Sequence, residues 1–387
     1  MKVLIKNARV VTPYEVLEDG WVLIDSGRIA EVKQGQLPEG SFDRVVDAEG
    51  CFLSPGFIDI HNHGGKGRDF MDATFDAIDT IARFHLKNGV TGFLATVMTA
   101  PFEEMKEAVV AAREYLKGQR PEEGKAELLG IYVEGPYFSL KKKGAQPGEH
   151  IKKPELKELE ELITASEDTV KVVSLASEVE GSDKAVAFLK EKGIVAALGH
   201  TDATYEEAKR GIDLGIRLST HTFNGMRGFE HREPGAAGAV LTDERVSCEL
   251  ICDGVHLHPA AVKLVLQAKG KERVILVSDA MMAAGLSDGE YTLGGQRVFV
   301  KGGRARLADG TIAGSTLSLD RAVRYLVKVL GVPVQDAVRM ASLNPATIIG
   351  EARRKGSVEV GKDADLVAFD DDIRVRWAMV RGVFYRP

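Results

Sequence analysis

A chain of 387 residues with 44% hydrophobic and 28% charged side chains is too long for one small core and too apolar for a disordered or fibrous polymer. Its net charge of −6 argues against general nucleic-acid binding, yet leaves an anionic small molecule open, because a few local arginines override a modest global charge. Three cysteines without a Cys-x-x-Cys pair, a start too short and interrupted for a signal peptide, and no apolar run of membrane-spanning length predict a reduced, cytoplasmic, soluble protein with no membrane partner.

Residues 1–50 alternate in the strand period: VLIKNARVVT, WVLIDSGRIAEV and RVVDAEGCFLSP, separated by turn residues such as Asp25-Ser26-Gly27. They read as a β-meander. Eight apolar runs follow: FIDIH, TGFLATVMT, LLGIYVEGP, KVVSLASE, GIVAALGHT, RLSTHTFN, CELICDGVH and VILVSDAM. Helical segments stand between them, among them TFDAIDTIARFHLKNG, PFEEMKEAVVAAREYLKG and DATYEEAKRGIDLG. Strands apolar on both faces and alternating with helices predict an α/β fold, a (β/α)8 TIM-like barrel. An open doubly wound sheet is disfavoured because no G-x-G-x-x-G follows the first strand. Residues 291–310 read as a hairpin inserted before the last helix. The chain then returns to short strands, GSVEVGKDADLVAFD and IRVRWAMVRGVFY. The two end segments are each too small for a core, so they predict one β-sandwich built from both chain ends. The expected boundaries are 1–54 and 356–387 for the sandwich, and 55–355 for the barrel.

Barrel active sites lie at the carboxyl ends of the strands. His61 and His63, at i and i+2, share one face if the strand runs that far. A lone His-x-His more often reads as two polar residues at a strand end. The other strand ends, however, carry Thr99, Glu134, Glu178, His200, His221, Asp253, His256 and Asp279. Imidazole and carboxylate without thiolate suit zinc, iron, manganese or cobalt with open coordination positions. Such a cation beside a free carboxylate is equipment for amide or ester hydrolysis. Bland readings stand beside several of these residues. Asp279 could cap a following helix, Glu178 is a structural or supporting carboxylate, and His85 is packed or exposed on a helix. His258, before Pro259, is structural at a helix start, and Lys141-Lys142-Lys143 is a solvated face.

The order of His-x-His, carboxylate, His, His and Asp along the strands resembles the amidohydrolase superfamily. Within it, the runs PGFIDIHNHG, VEGPYFSLKKKGA, LGHTDAT, THTFNGM, HREPGAAGA, ELICDGVHLHP, VSDAMMAAG and DGTIAGST resemble the N-acetylglucosamine-6-phosphate deacetylase family along nearly the whole chain. The resemblance implies hydrolysis of the acetamide of an amino sugar phosphate. It implies divalent metal ions, two per chain and zinc or iron by preference. Glu134, His200 and His221 would hold one; His61 and His63 would hold a second with Glu134 bridging, and Asp279 would contact the metal as well. Asp279 would be the general base, and His256 would polarise the acetyl carbonyl. Gln146, Asn224, Gly225, Arg232 and Ile312 would complete the substrate site, Arg232 meeting the phosphate. Gln146 stands where many relatives have a histidine, which bears on the choice between glucosamine and galactosamine configurations. A homodimer is implied. A cyclic-amide hydrolase is disfavoured, since its bridging lysine would lie at the end of the fourth strand, whereas Lys171 lies at the start. A non-catalytic scaffold should have lost ligands, and none is missing.

Overall fold

The computed structural model describes residues 1–386. Eight parallel strands form one sheet, and their spatial order is their order along the chain: Phe57–Asp59, Val90–Met98, Glu127–Glu134, Val170–Leu175, Val195–Leu198, Ile216–Ser219, Ser247–Ile251 and Val274–Val277. They correspond to the eight apolar runs. Nearly every residue in them is buried, as strands covered on both faces require. The first and eighth strands meet just past their carboxyl ends. There the Asp279 N–H donates to the His61 carbonyl at 2.9 Å, and the Ser278 hydroxyl donates to Asp59 at 2.5 Å.

The intervening helices start where the side chains cap them. Thr74 accepts from the Ala77 N–H at the head of Phe75–Lys87. Thr204 and Glu207 form a reciprocal capping box at the head of Tyr205–Leu214, which ends at Gly215. Phe102–Gly118 follows Pro101 without a side-chain cap.

A second, mixed sheet of eight strands joins the two ends of the chain. Leu366–Phe369 pairs antiparallel with Phe52–Pro55, which runs parallel to Lys2–Val11. Its own core includes Val3, Ile5, Val22, Ile24, Leu53, Leu366, Trp377 and Met379. The meander holds only for Lys2–Val11, Val16–Asp25 and Arg28–Gln34. Arg44–Asp47 and Phe52–Pro55 instead run parallel to the first strand, one after the other along the edge opposite Val16–Asp25, because the loop after Arg28–Gln34 carries the chain across the sheet rather than turning back. The inserted segment has three strands, Gly289–Leu293, Gln296–Lys301 and Arg304–Arg306. Its third strand is short and arginine-rich, and carries no apolar alternation to read. No helix among the described residues is long and apolar enough to cross a membrane.

Candidate active site

The carboxyl ends of the parallel strands converge on a cavity of about 230 Å³, a small-molecule volume. His63, Glu134, His200, His221 and Asp279 line its floor. Gln146, Asn224, Gly225, His256 and Ile312 line its walls. The first strand stops at Asp59, short of the histidine pair, so His61 and His63 are not strand neighbours on one face. Their backbone is held otherwise: the His61 N–H reaches the Asp59 carboxylate at 3.4 Å, and the His63 N–H the Ala280 carbonyl at 2.7 Å. The rings stand 72° apart with centroids at 5.5 Å, and both still face Glu134 and Asp279.

Three of these residues sit in left-handed backbone, with φ of 44° at His200, 26° at His221 and 48° at Asp279. L-residues avoid that region, and such strain gathers at functional sites. Gly225, at φ 57°, is fitted closely here; a Cβ on it would lie 2.8 Å from His200 Nδ1.

Two donor trios result, His61 with His63 and Asp279, and Glu134 with His200 and His221. Within each, the ligand atoms lie within 4.8 Å of one another. The tautomers follow from the neighbours. His200 Nδ1–H donates to the Lys142 carbonyl at 2.9 Å, and His221 Nδ1–H to the Asn224 carbonyl at 3.2 Å. His61 Nδ1–H donates to Glu249 at 2.9 Å. All three Nε2 lone pairs therefore turn inward. His200 Nε2 and His221 Nε2 are 3.2 Å apart, and each is 3.1 Å from Glu134 Oε1. His61 Nε2 is buried with no hydrogen-bond partner among the described residues.

The site demands positive charge. Burial opposes protonation of His61, but Glu249, Glu134 and Asp279 outweigh it and raise the imidazole to about 9. Burial would likewise raise Glu134, yet the imidazoles of His200, His221 and His63 hold it well below the usual carboxylate range. At His200 and His221 two Nε2–H groups at once would crowd each other across 3.2 Å. A cation fits the nitrogen and oxygen donors. A third trio, Glu127, Asp363 and Asp365, is different. Lys355 and Arg354 already neutralise it, and although burial works the other way, they bring Glu127 down to about 2.

Supporting contacts that sequence alone did not reveal hold this arrangement. Gln146 Nε2–H donates to Glu134 Oε2 at 2.6 Å, and its own oxygen accepts from the Thr99 N–H at 3.2 Å. His256 Nδ1 lies 2.7 Å from Asp253, whose carboxylate also accepts the His256 N–H. Glu178 accepts from Thr201 Oγ and the Asp202 N–H, tying down the loop beyond His200. Lys141 is exposed, but the neighbouring Lys142 carbonyl orients His200, so that basic run serves the site through its backbone. His258 caps the helix Pro259–Lys269. Arg232 is not brought to the cavity; it lies on an exposed loop, and its guanidinium pairs with no carboxylate among the described residues. Glu249, inside the run CELICD, was legible only as an acid embedded among apolar residues.

His85 is packed, not exposed. Its Nε2–H donates to Asn62 at 2.8 Å, between the two histidines of the pair. Burial pushes this imidazole down from 6.5 to about 3. The folded chain keeps His85 neutral where the unfolded chain takes up a proton. Its contribution to stability is therefore present above about 6.5 and lost as pH falls toward 3. His85→Gln should flatten the acid side of the stability curve by up to about 1.4 kcal/mol per pH unit. Urea unfolding of both proteins at pH 7 and pH 5 checks this, and parallel curves would contradict it.

The profile of the amidohydrolase family matches residues 52–384. The chain is 41% identical over 379 residues to N-acetylgalactosamine-6-phosphate deacetylase of Escherichia coli O157:H7, covering 98% of each chain. It is 40% identical over 380 residues to N-acetylglucosamine-6-phosphate deacetylase of Bacillus subtilis strain 168, covering 98% of this chain and 96% of that one. It superposes with a TM-score of 0.92 and 37% identity, over 99% of each chain, on a Mycobacterium smegmatis N-acetyl-D-glucosamine-6-phosphate deacetylase variant solved with N-acetyl-D-glucosamine-6-phosphate.

Proposed function

The chain belongs to the amidohydrolase family, and on that premise we propose that it hydrolyses the acetamide of N-acetylglucosamine 6-phosphate to glucosamine 6-phosphate and acetate. The observation that carries this reading is the convergence of the His61, His200 and His221 lone pairs on Glu134 and Asp279, whose carboxylates line one cavity, in a chain whose relatives bear that activity. We read the parallel sheet as a closed (β/α)8 barrel; the bonds linking Asp279 to His61 and Ser278 to Asp59 support closure. The mixed sheet is read as a β-sandwich, with boundaries at 1–54, 55–355 and 356–387. The change of sheet between Phe52–Pro55 and Phe57–Asp59 favours the first of them.

Glu134, His200 and His221 would hold one divalent ion, and His61 and His63 a second with Glu134 shared, zinc or iron being best suited. When bound, the metal supplies Lewis acidity at the cavity floor. Asp279, facing both histidines of the pair, accepts a proton from the attacking water and delivers it to the departing amine. Burial would raise the Asp253 carboxyl, but His256 beside it holds it low. That contact orients the His256 ring, and His256 polarises the acetyl carbonyl, where charge develops. Gln146 holds Glu134 in place and, with Asn224, Gly225 and Ile312, walls the sugar. Three free cysteines suit a reducing compartment, and we place the enzyme in the cytoplasm.

Arg232 lies outside the cavity, so we assign it to the phosphate across a homodimer, whose formation would also cover the exposed Phe229 on the same loop. Arg232→Ala should lower kcat/KM on the phosphorylated sugar by about 10–100-fold, the value of a charge-assisted bond of roughly 1.5–3 kcal/mol. The effect on unphosphorylated N-acetylglucosamine should be small; equal losses on both would remove Arg232 from the phosphate site.

A galactosamine reading also has an observation behind it, the 41% identity to the galactosamine enzyme. Acetate release from the two 6-phosphate epimers, assayed side by side, tests the assignment. The glucosamine reading expects the higher kcat/KM on N-acetylglucosamine 6-phosphate, and a preference for the other epimer would replace it.

A further inference from the structure

The seventh parallel strand, Ser247–Ile251, buries a glutamate at its middle. Glu249 is fully inaccessible, flanked by the equally buried Cys248 and Leu250. A carboxylate deprived of water is costly unless something compensates for it. No lysine or arginine pairs with it among the described residues. Instead, one oxygen, Oε2, accepts both the His61 Nδ1–H at 2.9 Å and the His221 backbone N–H at 3.1 Å. The other oxygen, Oε1, is buried without a partner. The two residues it grips belong to different donor trios, His61 to one and His221 to the other.

We propose that Glu249 is a positioning residue that holds both metal-ligand sets in register through this one oxygen. At His61 it fixes the tautomer and the ring plane, which is also stacked on Tyr132 at 4.7 Å between centroids, so that Nε2 faces Glu134 and Asp279. At His221 it anchors the N–H of a residue strained at φ 26°, the backbone that aims the ring at Glu134. A carboxylate behind a ligating histidine also raises its basicity toward a metal, and losing such a partner typically costs 10–100-fold in affinity. This inference rests on the metal-dependent reading above.

The test is zinc affinity by chelator competition in the full chain, with the cobalt-substituted visible spectrum as a second readout. Glu249→Ala should weaken zinc binding by about 10–100-fold and change the cobalt bands. Glu249→Gln keeps an oxygen for both N–H donors but removes the charge, and should weaken zinc about 10-fold. Ser174→Ala, which removes a hydroxyl bonded to Thr220 in the same interior, should leave both readouts at wild type. Wild-type zinc affinity in a folded Glu249→Ala protein overturns the proposal. If Glu249→Ala does not fold, wild-type affinity in Glu249→Gln overturns it. Equal weakening by Ser174→Ala also overturns it, since general packing would then be the cause. A wild-type chain that binds no zinc or cobalt sinks the metal reading itself and this inference with it, whereas binding unaffected by Glu249 removes the inference alone.

Discussion

Asp279→Asn should lower turnover by roughly 10²–10⁴, the usual contribution of a general acid–base, while the protein keeps its metal and its affinity for substrate. Asp279 Oδ1 stands 3.2 Å from His63 Nε2 and 3.9 Å from His61 Nε2, at the floor of the cavity. Asparagine preserves the size and one oxygen but cannot accept the water's proton. The rival reading, a helix cap, would predict little change, because asparagine and aspartate cap about equally well. No helix follows Asp279: turns lead from it to the inserted sheet, and the next helix, Leu319–Lys328, begins at Ser318. Turnover measured together with metal content decides. Near wild-type turnover in a fully metallated variant would remove Asp279 from the chemistry.

Glu134→Ala should strip the centre of metal and reduce activity to background. One oxygen of this carboxylate faces His200 and His221 at 3.1 Å each and His61 at 3.6 Å; the other faces His63 at 3.3 Å. All four imidazoles thus turn toward one side chain, and alanine leaves them no shared anion. The loss of affinity should exceed the 10–100-fold that follows removal of a supporting partner. Glu127→Ala is the informative contrast, because that glutamate belongs to a trio already satisfied by Lys355 and Arg354. It should leave metal content unchanged and destabilise by less than the ~3–5 kcal/mol of stranding a buried charge, because Asp365 still pairs with Lys355 and Asp363 with Arg354. Elemental analysis and urea unfolding of the two variants give the comparison; retained metal in Glu134→Ala would contradict the arrangement.

The eight parallel strands were legible because each is apolar on both faces, a pattern that survives without knowing its neighbours. The helices were legible for a like reason: the proline before Phe102–Gly118 and the glycine after Tyr205–Leu214 are local signals. Pairing is not local, and so the parallel partners of Lys2–Val11 and the third strand at Arg304–Arg306 escaped. Ligand types and their order along the strands could be read, but not the path of the chain at His61 and His63. There Asp59 and Ala280 take the backbone bonds that a continued strand would have made. Glu249, Asn62 and Gln146 act through partners 188, 23 and 12 residues away, so no spacing rule exposes those contacts. Arg232 entered through resemblance alone, and a single chain does not carry it to the cavity.

This cavity should remove an acetyl group only when its histidines and carboxylates hold metal. Protein stripped by chelation, verified metal-free by elemental analysis and then titrated with zinc or ferrous iron, tests it on N-acetylglucosamine 6-phosphate with acetate as the readout. The predicted result is no release from the stripped protein and release that rises with added metal to a plateau near two ions per chain. Undiminished release from verified metal-free protein, or none from the fully loaded protein, would contradict it.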